Sequence, residues 1–186
     1  DEGIWYLHYR VSDYAGNTVT GYFGAYQIDK TAPTGQGILS PSEWTNKDVT
    51  ITFIAKDEGG SGVKGILKPD GTFVTAESTT YTVGSNGTYT FMVEDNAGNQ
   101  AIIPVNVANI DKIAPTGIGT LSPSEWTNKD VTITFTAHDE GGSGVKGILK
   151  PDGTWTSADS SLNGPDGSIS VFTTEYTVSS NGMYNF

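Results

Sequence analysis

The sequence contains no cysteine, which excludes disulfide staples and thiolate metal centres and leaves the redox compartment open. No apolar run approaches the roughly 18 residues that a membrane-spanning helix needs. The opening residues DEGIWYLHYR carry neither an initiating Met nor the basic start of a signal peptide, so a segment internal to a longer protein is expected. Basic residues are few: 10 Lys and Arg stand against 21 Asp and Glu, for a net charge of -11. Such a surface repels nucleic-acid backbones and anionic membranes at long range and attracts divalent cations. Neither nucleic-acid binding nor membrane insertion is expected. Apolar residues make up 35% of the chain, whereas Gly alone contributes 24 residues and Thr, Ser and Asn are abundant. That balance favours many short strands and turns over thick helices, so the expected class is all-β.

Catalytic patterns are also lacking. The two histidines, His8 and His138, belong to no recurring set, and no G-x-S-x-G, H-E-x-x-H or phosphate-cradling Gly loop occurs. Gly59, Gly60 and Gly62 precede no helical pattern, so a dinucleotide site is excluded. No catalytic residue is assigned, no cofactor-binding residue is assigned, and an enzyme is not expected.

What the chain does contain is a repeat. Shifted by 82 residues, positions 29–74 and 111–156 agree at 39 of 46 places. The same shift lays Asp13, Ala15, Gly16 and Asn17 over Asp95, Ala97, Gly98 and Asn99. A period near 80 exceeds that of solenoid units and suffices for an independent small sandwich. Residues 1–28 then read as the C-terminal strands of a preceding repeat and 29–110 as a complete repeat. Residues 111–186 read as a third repeat that stops short of its last strand.

Within the complete repeat, Val49, Ile51 and Phe53 alternate with Thr50 and Thr52, and Tyr89, Phe91 and Val93 alternate with Thr90 and Met92, the period of a strand with one buried face. With strands near 35–40 and 62–68, TFVTA, TTYTV and 100–107, seven are expected. A KPDG turn follows the third, in which Gly71 supplies a positive φ. Pro104 falls on the outward parity of the last strand, which places that strand at a sheet edge. In the third repeat a polar insertion around 158–170 reads as a protruding loop.

Taken together, IDKTAPT (28–34), WTNKDVTITF (44–53), D-x-G-G-S-G-V (57–63) and TFMVEDNAGN (90–99) resemble the bacterial immunoglobulin-like repeats of Gram-positive surface and S-layer-associated proteins. The resemblance covers nearly the whole chain. It implies tandem immunoglobulin-like β-sandwich modules of about seven strands, serving as stalk or spacer on the cell wall or in a secreted protein. An adhesive or carbohydrate-binding module, or an accessory domain of a secreted polysaccharide-degrading enzyme, is the alternative. The partners expected are neighbouring repeats of the same polypeptide, with cell-wall glycan or a host surface ligand as further candidates, and head-to-tail strand exchange between chains at the cut ends.

In an immunoglobulin-like topology the second-to-third and sixth-to-seventh loops share one end with the start of the first strand. Asp57, Glu58 and Asp95 would gather there with the linker residue Asp29. Two readings stay open: the four are a low-affinity Ca²⁺ site stiffening the linker, or the aspartates form Asx turns that bond backbone N–H groups of Gly-rich loops. Trp44 and Trp126, both in SEWTN, likewise have two: they plug the open edge of the sandwich, or they stack on sugar rings as ligand contacts.

Overall fold

The computed structural model describes residues 2–158 and 171–186; the insertion expected at 158–170 lies, from residue 159 onward, outside the described residues. All regular structure among them is β, and every pairing between strands is antiparallel. The chain divides into two compact units, one comprising residues 1–41 and 49–108 and the other residues 42–48 and 109–186.

The first unit opens with a hairpin of β1 (Gly3–Ser12) and β2 (Thr18–Ile28). Seven strands follow. β3 (Thr34–Ser40), β4 (Val49–Lys56) and β7 (Ser78–Val83) form one sheet in the order β3-β4-β7. β5 (Val63–Leu67), β6 (Phe73–Val74), β8 (Gly87–Asp95) and β9 (Gln100–Val107) form the other, in the order β6-β5-β8-β9. The threonine-spaced pattern decides which way each strand faces. Val49, Ile51 and Phe53 on β4 are fully buried, as are Ile66 on β5 and Phe91 and Val93 on β8. The two sheets meet where the Phe53 ring stacks on Phe91 and Tyr81 presents its edge to Phe91 at 6.2 Å. Each such buried side chain contributes about 1.5–3 kcal/mol of transfer free energy. The KPDG turn closes with Gly71 at φ +84° and its N–H donating to Lys68 O at 2.9 Å. β9 is a terminal strand of its sheet, and Pro104 on it is exposed opposite Thr90.

The second unit repeats part of this plan. β10 (Thr116–Ser122), β11 (Val131–His138) and β14 (Val171–Val178) pair in the order β10-β11-β14, matching β3-β4-β7. β12 (Gly147–Leu149) pairs with β13 (Trp155–Ser157). Residues 181–186 join no ladder. Even so, Phe186 stacks on Phe135 at 4.8 Å and Tyr176 lies 6.2 Å from Tyr184, the same aromatic arrangement as in the first unit. Side chains thus take their core places without the backbone pairing that accompanies them in the longer copy. One buried cluster here is Ala137, Val145 and Ile148, with Phe135, Phe172 and Phe186 packed around it, and Ile110 and Ile133 are buried as well.

The units do not follow the repeat boundaries read from sequence. Residues 42–48 belong by repeat to 29–110, yet they fold with the second unit, where Thr45 forms a parallel bridge with Ile110.

Candidate functional site

The loop after β4, the turn after β8 and the linker before β3 meet at one end of the first unit. They bring one carboxylate oxygen each from Asp29, Asp57 and Asp95 within 4.8 Å of one another. Glu58 is not part of this group: its carboxylate pairs with Lys56 instead, where both side chains are largely exposed. Adjacency to Asp57 in sequence does not give Glu58 the same direction.

Each of the three carboxylates is occupied by backbone. Asp29 accepts the N–H of Thr31 on one oxygen and that of Ser61 on the other, both at 3.0 Å. Asp57 accepts from Gly59 N–H at 3.1 Å and Gly62 N–H at 2.8 Å. Asp95, fully buried, accepts from the Asn99 N–H and the Asn99 side-chain amide, both at 2.8 Å. A buried carboxylate is costly unless its lone pairs are met, and these charge-assisted bonds meet them.

Asn99 links the elements, because its amide also donates to the linker carbonyl of Asp29 at 3.2 Å. Asn96 donates to Ser61 O and Gly62 O at 2.9 and 3.1 Å. Ser61, Asn96 and Asn99 were not singled out in the sequence. The signal for Asn99 was present, however: DYAGN and DNAGN both place Asn four residues after Asp, and Asp13 bonds Asn17 in the same way.

The arrangement needs room beside Asp29. A Cβ on Gly59 would collide with the Asp29 carboxylate, and one on Gly141 with that of Asp111. The tie recurs because Asp111 accepts from Ile113 N–H and Ser143 N–H, both at 3.0 Å. Bonding from Ser61, its side chain foremost, holds the Asp29 carboxyl below its ordinary range against an opposing push from burial, with Thr31 N–H and Ser61 N–H assisting. Ser143 and Ile113 do the same for Asp111.

Chemically, the cluster concentrates negative charge in a compact, largely pre-formed set of oxygens. No Lys or Arg forms an ion pair with any of the three among the described residues. Hard oxygen donors in such a set suit Ca²⁺ rather than a soft metal.

The tryptophans do not plug the sandwich. Trp44 is 42% exposed and Trp126 98% exposed. Both precede the strand whose alternation defines the core, so neither is carried inward by it. The Trp44 ring instead lies over Gly142 in the second unit. His8 lies within β1, and His138, at the end of β11, stands 4.0 Å from Glu140. Compared with family models, with curated proteins and with solved structures, the chain matches none.

Proposed function

We propose that the chain is a non-enzymatic run of immunoglobulin-like repeats that acts as a stalk or spacer of a bacterial surface or secreted protein. The observation that carries this reading is the repeated anchoring of the linker. Asp29 bonds Ser61 N–H, and Asp111 bonds Ser143 N–H, at the same distance of 3.0 Å and across the same 32-residue separation. A linker clamped to the first long loop of the module that follows it has little freedom to swing, and stiffness per repeat is what a spacer requires. The strand orders β3-β4-β7 and β6-β5-β8-β9 support the immunoglobulin-like assignment, since the chain crosses to the opposite sheet after its second strand β4 and ends on two neighbouring strands of that sheet, as that topology does.

Single-molecule pulling tests the reading. A version with residues 29–110 duplicated should add unfolding events that each release about 280 Å of chain, from about 3.4 Å per residue. Unfolding of the whole chain in one step would overturn it.

Within this function the Asp29, Asp57 and Asp95 cluster is the place for Ca²⁺ to stiffen the linker, at the modest affinity of extracellular modules, about 10⁻⁴–10⁻³ M. A melt in millimolar Ca²⁺ should then lie above one in chelator. Superimposed melts would leave the cluster as backbone capping alone.

A further inference from the structure

We infer that the loop 42–48 couples the stability of the two units: contributed by the first, it completes the second, which is therefore more stable while the first is folded. The loop connects β3 to β4, and both of its ends are fixed in the first unit. Before it, Leu39 and Ser40 pair with Ile51 and Thr50; after it, Val49 is fully buried. Residues 42–48 themselves nevertheless group with the second unit. The loop also brings its own shape. Lys47 N–H bonds Thr45 Oγ1 at 3.1 Å, and in the same seven letters at 124–130 Lys129 N–H bonds Thr127 Oγ1 at 3.0 Å.

Inside the second unit the loop holds the stretch 109–113. Thr45 N–H donates to Asn109 O and Asp111 N–H donates to Thr45 O, both at 2.9 Å. The Asn109 side-chain amide donates to Glu43 O at 2.9 Å, and Lys112 pairs with Asp48 at 2.7 Å. Ile110 and Asp111 are buried there. Asp111 carries the connection onward, because its main chain bonds Thr45 while its carboxylate accepts the Ser143 N–H at 3.0 Å. Beside Ser143, Gly144 N–H donates to Asp139 at 2.7 Å, and Val145 enters the buried cluster with Ala137 and Ile148. Trp44 braces the same path, since a Cβ on Gly142 would lie 3.6 Å from its ring.

Preorganisation gives the coupling its sign. While β3 and β4 are paired, the loop is held at both ends and loses little freedom on binding 109–113. Once the first unit unfolds, seven residues regain their freedom and must be ordered again before these bonds form. The same contacts then hold the second unit less well. Linkage is reciprocal, so the unit that opens first shows the effect. That unit is the second: the largest fully buried side chains, Phe53, Phe91 and Ile51 among them, lie in the first, whereas Phe135 at the matching place is only partly buried.

Hydrogen exchange of the intact chain, read segment by segment, provides the test. Trp44→Ala should accelerate exchange about tenfold in β11 and β12, strands that make none of the bonds above, and leave β8 unchanged. Trp126→Ala, the same change at a ring 98% exposed, should move neither. Asp48→Lys should act in the direction of Trp44→Ala by up to about fivefold, as for an exposed ion pair, and adding Lys112→Asp should reverse it. If Trp44→Ala changes nothing, or accelerates only 109–113 and 141–144, the ring is a local cover and the coupling is overturned, with the spacer reading left standing. Equal acceleration in β8 would overturn both, since the chain would then open as one body.

Discussion

Phe53 and Phe91 lie flat against each other, ring centroids 4.3 Å apart and planes 10° apart, one from each sheet of the first unit. Both are fully buried. Phe91→Ala should therefore cost about 3–5 kcal/mol, the transfer loss plus a cavity that facing sheets cannot close. Phe135→Ala, at the matching place in the second unit where the ring is only partly buried, should cost less. Urea unfolding of each variant gives the comparison.

Gly59→Ala should loosen the linker. Its methyl group would collide with the Asp29 carboxylate, which must then give up the Ser61 or the Thr31 N–H. Limited proteolysis should cut near residues 29–34 faster than in the parent chain, at rates that Gly87→Ala, where the nearest atoms are the far end of the Tyr89 ring at 3.9 Å, does not approach.

Asp95→Ala leaves the Asn99 N–H and amide without their buried acceptor. The expected cost is about 1–3 kcal/mol, the range for an orphaned buried polar group. Asp95→Asn, which keeps one acceptor oxygen, should recover part of it in the same denaturation experiment.

Acid should weaken the turns and linkers before the cores. The carboxyls of Asp13, Asp29 and Asp111 sit below the ordinary aspartate value of 3.8, Asp13 because of the Asn17 side chain first and the other two because of Ser61 and Ser143. A depressed folded-state pKa means that the proton binds the unfolded chain more readily. The stabilisation is therefore complete above the unfolded value and fades as pH drops below 3.8 toward the lower folded values. Melting temperature should be flat from pH 7 to about 5 and fall below about 4. Asp29→Asn should flatten the acid limb.

Much of this was legible in the residues. The alternation of Val49, Ile51 and Phe53 with threonine announces a half-buried strand, because successive side chains on a strand face opposite ways. The gathering of Asp29, Asp57 and Asp95 followed from which loops share an end of a sandwich. Glu58 was misjudged because a loop residue's direction depends on local backbone and on available partners, here Lys56, and neither is periodic. Trp126 was misjudged for a related reason. Bulk and apolarity argue for burial, but the loop 124–130 has no strand parity to aim the ring, and its repeat partner Trp44 finds cover from Gly142, which lies almost 100 residues further on.

Pro104 carries a consequence for how such a chain reaches its native state. Repeats that agree at 39 of 46 positions offer each nascent copy a neighbour's strands as plausible substitutes, and mis-pairing between like modules is a hazard of repetitive chains. A ring in place of an amide hydrogen on the outermost ribbon removes one rung from any illegitimate ladder that would grow there, so kinship between copies is kept from turning into entanglement.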